Sequence, residues 1–273
     1  MGMLYEISAS PSPGLVSPVS CGAHDDMDYF TFLRSTSAIA YAMYLCAQIG
    51  LDEDGDILTK LRAVGIEAET RMLAVTGHIN TQKGLLFLAG IICGAAGQCL
   101  KHGQPVDRHN VALRCSRIGA DLIDKELKTV QEKAADQAGI SHGERQYLRY
   151  GVTGIRGEVA RGLPSVINTG LPLYEEALAA GLSVPEALVQ SLMGLMKVAE
   201  DTTVLHRCGM NGLKRLQKSA VKFFTLGGMK TQAGKRYLRS LDALFTKHRM
   251  SPGGAADLLA ATVMIYQLEK DFS

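Results

Sequence analysis

The chain has 273 residues, enough for one large domain or two small ones, and 47% of them are hydrophobic, so it can bury a substantial core. Tryptophan is absent and aromatics are few, while Ala, Leu, Gly and Met abound, a balance that favours closely packed helices over aromatic-rich sheets. The net charge of +2 excludes nothing, and six cysteines without a CxxC pair exclude the usual zinc spacings and fit reduced core thiols.

Residues 1–9 read as a short helix carrying Glu6, stopped by Pro11-Ser-Pro-Gly. The stretch 22–28, GAHDDMD, should open a long helix reaching about Gln48. Asp25 and Asp28 are three apart and would share a face, with Asp26 to one side. Acids at a helix start suit its dipole, and three aspartates in four positions also suit Mg²⁺. They are not the DDxxD of all-helical prenyl-transfer enzymes, because the third comes one residue early. An acidic loop follows at 51–56, then a helix over about 57–75 with Glu67 and Glu69.

The centre of the chain is 76–97, TGHINTQKGLLFLAGIICGAAG, polar in its first nine residues and almost wholly apolar afterwards. That junction predicts a loop feeding a buried helix with Lys83 in its first turn. Helix starts expose N–H groups and a partial positive charge, so the loop is a candidate anion site. It lacks the Gly-Lys-Ser/Thr of a Walker A loop. The apolar run 85–97 is too short to span a bilayer, and the N-terminal residues lack a secretory pattern, which points to the cytoplasm.

Val111, Cys115, Ile118 and Leu122 recur at helical spacing and predict a helix reaching the 130s; 125–141 is charged and should be exposed. Residues 151–162, GVTGIRGEVARG, hold four glycines around Arg156 and Glu158, too many for an ordinary helix, and read as a functional loop. A helix over 174–180 precedes Ser183-Val-Pro-Glu186, a capping box with proline in the first turn. The helix it opens should deliver Glu200 and Asp201 near its end, where acids oppose the dipole. Leu213, Leu216, Ala220 and Phe223 form one face of a later helix, with Lys214, Lys218 and Lys222 on another. Between 205 and 250 lie eleven Lys/Arg and one acid, +10, leaving −8 for the rest of the +2 chain. Leu238, Leu241 and Phe245 mark one more helix. In the last, Ser251 should cap, Pro252 should sit at the first position, and Gly253 and Gly254 should offer amides to an anion. The expectation is an all-α fold, a single globular multi-helix domain over 1–273 around a buried central helix.

Eight segments in order, LYEISASPSPGLV (4–16), GAHDDMDYFTF (22–32), GIEAE (65–69), TGHINTQKG (76–84), GIRGE (154–158), LP (171–172), EDTTVLHRCG (200–209) and SPGGAADLLA (251–260), resemble the triphosphoribosyl-dephospho-CoA synthase family. Some positions depart from the family pattern. Ser12 stands where it has lysine, Ser17 aspartate, His78 glycine, Gln82 histidine and Thr203 asparagine, and Cys208 interrupts an Arg-Gly-Gly. The resemblance implies a pentosyltransferase that joins ATP to 3′-dephospho-CoA, releases adenine and keeps the triphosphate. Its product is the prosthetic-group precursor for an acyl carrier protein of citrate lyase or malonate decarboxylase, handed on to a holo-acyl-carrier-protein synthase. On that reading Asp26, Asp28, Glu200 and Asp201 would hold Mg²⁺. Asn80, Lys83, Arg156, Arg207, Ser251, Gly253 and Gly254 would hold phosphates. Glu158, or second Glu6, would serve the ribosyl chemistry. A homodimer is compatible; nucleic acid and membrane are not expected partners. The alternatives are an ATP-binding family member without transferase activity and a metal-dependent ribosyl or phosphate hydrolase.

Overall fold

A computed structural model describes residues 1–127, 130 and 140–272. Among them are twelve α-helices and no strand, only an isolated bridge between Ser17 and Ser20. The helices are α1 (Gly2–Ser8), α2 (Tyr29–Asp52), α3 (Leu58–Thr76), α4 (Lys83–Lys101), α5 (Arg108–Ile118) and α6 (His142–Tyr150). They continue with α7 (Gly154–Ala160), α8 (Leu171–Ala179), α9 (Val184–Val198), α10 (Thr202–Thr225), α11 (Gln232–Lys247) and α12 (Gly253–Asp271). The all-α expectation holds.

The hub is α4. Thirteen of its nineteen residues are buried, so it is apolar all round, as a helix enclosed by others must be. It is the one described helix long and apolar enough to cross a membrane, longer than the sequence run implied, and most of its apolar surface lies inside the protein. Leu85, Leu86 and Ala89 join a small cluster with Met3, Ile39 and Met72, while Leu88, Ile91, Ile92 and Ala95 join the main core. Its closest neighbour is α2. A Cβ on Gly97 would lie 2.2 Å from the Ala47 carbonyl, and one on Gly50 would lie 2.0 Å from that of Gly94, so bare backbones meet here.

Several expected boundaries move, each for a local reason. GAHDDMD is not helical: Asp28 is the N-cap, its Oδ1 accepting from the Thr31 N–H at 2.7 Å, and α2 starts after it. The helix after 107 ends at Ile118 and gives way to a π-helical stretch, Leu122–Leu127; the expected continuation into the 130s and the charged stretch that follows fall largely outside the described residues. The glycine-rich 151–162 contains a true helix, α7. Its glycines answer packing: a Cβ on Gly157 would strike the Thr153 hydroxyl at 1.8 Å, and Gly154, at φ +53, faces Thr202. The capping box at Ser183 is present, with Glu186 accepting from the Ser183 N–H at 3.0 Å. The two faces of α10 are as expected, with Leu213, Leu216, Ala220 and Phe223 buried and Lys214, Lys218 and Lys222 exposed. That helix is broken at Gly209, whose φ of +64 and ψ of −171 lie outside helical space.

Candidate active site

The helices bring three starts together: those of α4, α10 and α12. Asp201 joins two of them. It is buried, and its Oδ1 accepts from the Thr203 and Val204 N–H groups at 3.0 Å each, capping α10. Its Oδ2 accepts from the Ala255 N–H at 2.9 Å, the first turn of α12, and lies against Gly254. α9 ends at Val198, so Asp201 does not oppose that dipole; it complements the two that begin beside it. The anion held by the Gly-Gly start of α12 is therefore the protein's own carboxylate. Burial nonetheless raises the Asp201 carboxyl above its ordinary range.

The start of α12 also differs in its cap. Pro252, not Ser251, is the N-cap, and no side chain of that segment caps the helix. The Ser251 hydroxyl is instead 2.9 Å from His24 Nε2. On the other side of the ring, Arg207 Nη2 lies 3.2 Å from Nδ1 and Asp26 Oδ1 lies 3.6 Å from it. An arginine donating to Nδ1 assigns the proton to Nε2, so a neutral imidazole donates to Ser251. Burial, then Arg207, lower the His24 pKa, in keeping with that neutral form. Arg207 also donates to the Ala23 carbonyl at 3.0 Å. Asp26, Arg207 and Ser251 are thus gathered around a histidine that sequence reasoning did not single out as a site residue.

Two further acids stand behind Asp201. Glu6, from α1, is buried, and burial pushes its carboxyl up to about 8. Asp257, one turn into α12, is partly exposed and sits well above its ordinary value through burial, with Glu6 and Asp201 adding repulsion. Its Oδ2 lies against the α-carbon of Gly84 in the first turn of α4, where a Cβ would approach to 2.3 Å. Asp257 belongs to this site although the sequence offered only its presence in a matching segment. With its carboxyl pushed up to about 8, Glu6 favours the protonated form at neutral pH, which argues against it as the base ranked second after Glu158.

Glu158 lines a narrow cleft with Glu200, Asp201, Arg161 and Gly254. Its carboxylate accepts from the Ser165 N–H at 3.1 Å and hydroxyl at 2.6 Å, which fixes its direction. Glu200, exposed, accepts from the Thr153 N–H at 3.0 Å at the start of α7. Asn80 caps α4 by accepting from the Lys83 N–H at 3.2 Å, and Lys83 Nζ lies 2.6 Å from Glu69. Arg156 turns toward α6, 3.6 Å from Glu144. Gly253 packs against Thr203.

The four acids read as metal ligands do not converge. Among the described residues no group of three or more His, Cys, Asp or Glu is arranged to hold a metal ion. Asp28 and Asp201 already serve as helix caps, and Asp26 faces His24. The described carboxylates do not fit a metal cage.

The arginines, the lysine and the start of α4 near the acid cluster suit a polyanionic substrate, and comparison with known proteins narrows the choice. The family described as ATP:dephospho-CoA triphosphoribosyl transferase matches residues 1–273. The chain belongs to that family. A probable 2-(5''-triphosphoribosyl)-3'-dephosphocoenzyme-A synthase of Vibrio cholerae serotype O1 is 37% identical over 274 residues, covering 99% of this chain and 86% of the relative. Proteins of the same name from Photobacterium profundum and Malonomonas rubra are 38% and 36% identical, covering 98% and 99% of this chain and 85% and 86% of theirs. No solved structure matches. The protein is therefore a transferase. His78 adopts φ +66, a region glycine occupies freely.

Proposed function

We propose that the protein joins ATP to 3′-dephospho-CoA, forming 2′-(5″-triphosphoribosyl)-3′-dephospho-CoA and releasing adenine. The observation that supports this reading beyond family membership is a gathering of acids held in different ways. Glu158, pinned by Ser165 in the cleft, stands beside Asp201, which adjoins Asp257 and Glu6, two carboxyls that burial holds above the ordinary range. Ribosyl transfer needs an acid and a base of this kind. The bond from C1 of the ATP ribose to adenine breaks, and the leaving base takes a proton from Asp257, the partly exposed acid. The 2′-hydroxyl of dephospho-CoA forms the new bond to C1 and gives its proton to Glu158. The net result is one proton moved from the hydroxyl to adenine.

Arg207, Arg161 and Lys83 supply positive charge around this centre, and the start of α4 adds its dipole. Mg²⁺ enters as a companion of the ATP phosphates, since the described carboxylates offer it no site of their own. The product would pass to a holo-acyl-carrier-protein synthase serving citrate lyase or malonate decarboxylase. The whole reaction would run in the cytoplasm on one domain, and pairing into a homodimer is compatible with it.

The test is incubation with ATP, Mg²⁺ and 3′-dephospho-CoA, with chromatography for adenine and mass analysis of the nucleotide product. Adenine together with a dephospho-CoA enlarged by a triphosphoribosyl group is the expected result. Adenine without the adduct would make the protein a hydrolase. No adenine from a folded protein would overturn both.

A further inference from the structure

A second open space lies beside α4's first turn, walled by α2, α3 and α4. It holds about 590 Å³ including its mouth. The walls are apolar, with Leu61, Ile66, Phe87 and Ile91 among them, and Cys46 of α2 also lines it. The charged lining groups are Arg62, Glu69 and Lys83, and the Lys83 and Glu69 side chains reach solvent, being 54% and 26% exposed. On α3 the lining runs from Leu58 to Glu69, three turns or about 16 Å at 1.5 Å per residue. The space is elongated along α3, as a groove for a chain would be.

Gly65 shows that the groove is kept open. Six described glycines have nothing within 4 Å of an added Cβ: Gly55, Gly65, Gly77, Gly103, Gly151 and Gly181. All but Gly65 have positive φ, which explains them by backbone conformation. Gly65 sits mid-helix in α3 with ordinary φ and lines the groove, so neither its backbone nor its neighbours require it. A glycine there weakens the helix relative to alanine. What it preserves is empty volume. Gly90, across the groove on α4, differs: an added Cβ would lie 3.3 Å from the Cys46 sulfur, so packing accounts for it.

We propose that this groove binds the pantetheine arm of the acceptor, with the adjoining diphosphate at its mouth beside Lys83 and Arg62. The inference rests on the transferase reading above. Of the two substrates in that reading, only dephospho-CoA has an extended uncharged chain ending in a diphosphate; ATP has none. Lys83 precedes Gly84, which touches Asp257, so an arm anchored here holds its nucleotide end toward the acid cluster.

The test uses G65A, G65L and G65M in the full chain. Titration calorimetry measures 3′-dephospho-CoA, ADP (the same adenosine diphosphate head without the arm) and ATP. Wild type should bind dephospho-CoA more tightly than ADP, and G65L should lose about tenfold in dephospho-CoA affinity, the scale of a few methylenes displaced, with ATP affinity unchanged. In turnover, KM for dephospho-CoA should rise by a similar factor, while kcat at saturation changes little. G65A should melt no lower than wild type. Hydrogen exchange on wild type gives a readout free of any variant: dephospho-CoA, and not ADP, should slow exchange across 62–69. Unchanged dephospho-CoA affinity in folded G65L or G65M, or no protection of 62–69, would overturn the groove assignment. The transferase reading fails separately, by the absence of adenine and adduct from wild type.

Discussion

At the scale of single residues, Glu158 and His78 make opposite kinds of demand. Glu158 is assigned to take the proton from the attacking hydroxyl, and Ser165 holds it in place. Glutamine keeps the shape and an acceptor for Ser165 but cannot accept that proton. E158Q should lower kcat by about 10²-fold or more, the usual worth of a general base, with ATP affinity and melting temperature near wild type. Near-normal turnover would remove Glu158 from the role. His78 bears on stability alone. A non-glycine residue at φ +66 carries about 1–2 kcal/mol of backbone strain, partly offset by glycine's greater unfolded freedom. H78G should therefore stabilise the protein by about 0.5–1 kcal/mol, seen as a rise of a few degrees in melting temperature. An unchanged or lower melting point would mean that contacts of the imidazole outweigh the strain. Glu158, Asp201 and Arg207 stand in the ordered motifs, but the partners the structure gives them could not be read there. That His24 stands between Ser251 and Arg207 depends on residues 227 and 183 positions away in sequence, a separation that spacing cannot bridge. The three-aspartate stretch was misread for a local reason: one of its carboxylates is consumed as the cap of α2.

At the scale of elements, the packing of α2 on α4 depends on two glycines, Gly50 and Gly97, while Gly94 makes room for Leu61 and Ile57. Helix-forming propensity argues against all three. Close approach of the two backbones explains Gly50 and Gly97. Alanine at Gly97 gains intrinsic helix propensity yet pushes its methyl into the Ala47 carbonyl, and backbone cannot move aside as a flexible side chain can. G97A should destabilise by about 1–3 kcal/mol, the cost of overpacking, measurable by urea denaturation. G65A on α3, facing open space, provides the matched control and should be neutral or stabilising. Element identity was largely readable: the apolar run after Lys83, the box at Ser183 and the two faces of α10 each carry a local signal. α7 was hidden because its glycines look like a loop until Thr153 and Thr202 are seen to crowd them. The start of α12 misled because its real cap, Asp201, comes from the junction of two other helices.

At the scale of the whole molecule, the buried acids should make stability fall as pH rises. Glu6 titrates near 8 in the folded protein against an ordinary 4.5, and Asp257 is also displaced well upward. Above pH 4.5 the unfolded chain releases the Glu6 proton while the folded protein keeps it until about 8. Folding then takes up a proton, and stability declines by about 1.4 kcal/mol per pH unit for each such group. Two histidines act in the opposite sense lower down. Burial is the first cause of the lowered pKa of both His24 and His142, so below about 6.5 the unfolded state binds protons that the folded state does not, and stability rises with pH there. Glu186, held near 2 by Lys235, exerts its effect below 4.5 and is fully favourable above it. From 6.5 to 8 the raised acids outweigh what remains of the histidine titration. Urea unfolding at those two pH values should show wild type losing stability, with Glu6 alone accounting for about 1.5 kcal/mol of the loss. E6Q, neutral in both states, should lose less by that amount. Equal losses in wild type and E6Q would show that Glu6 ionises normally in the folded protein, and would return it to candidacy as a base. A smaller loss in E6Q would establish that the cluster beneath α4 holds a proton at neutral pH, the condition that lets a carboxylic acid there donate one to departing adenine.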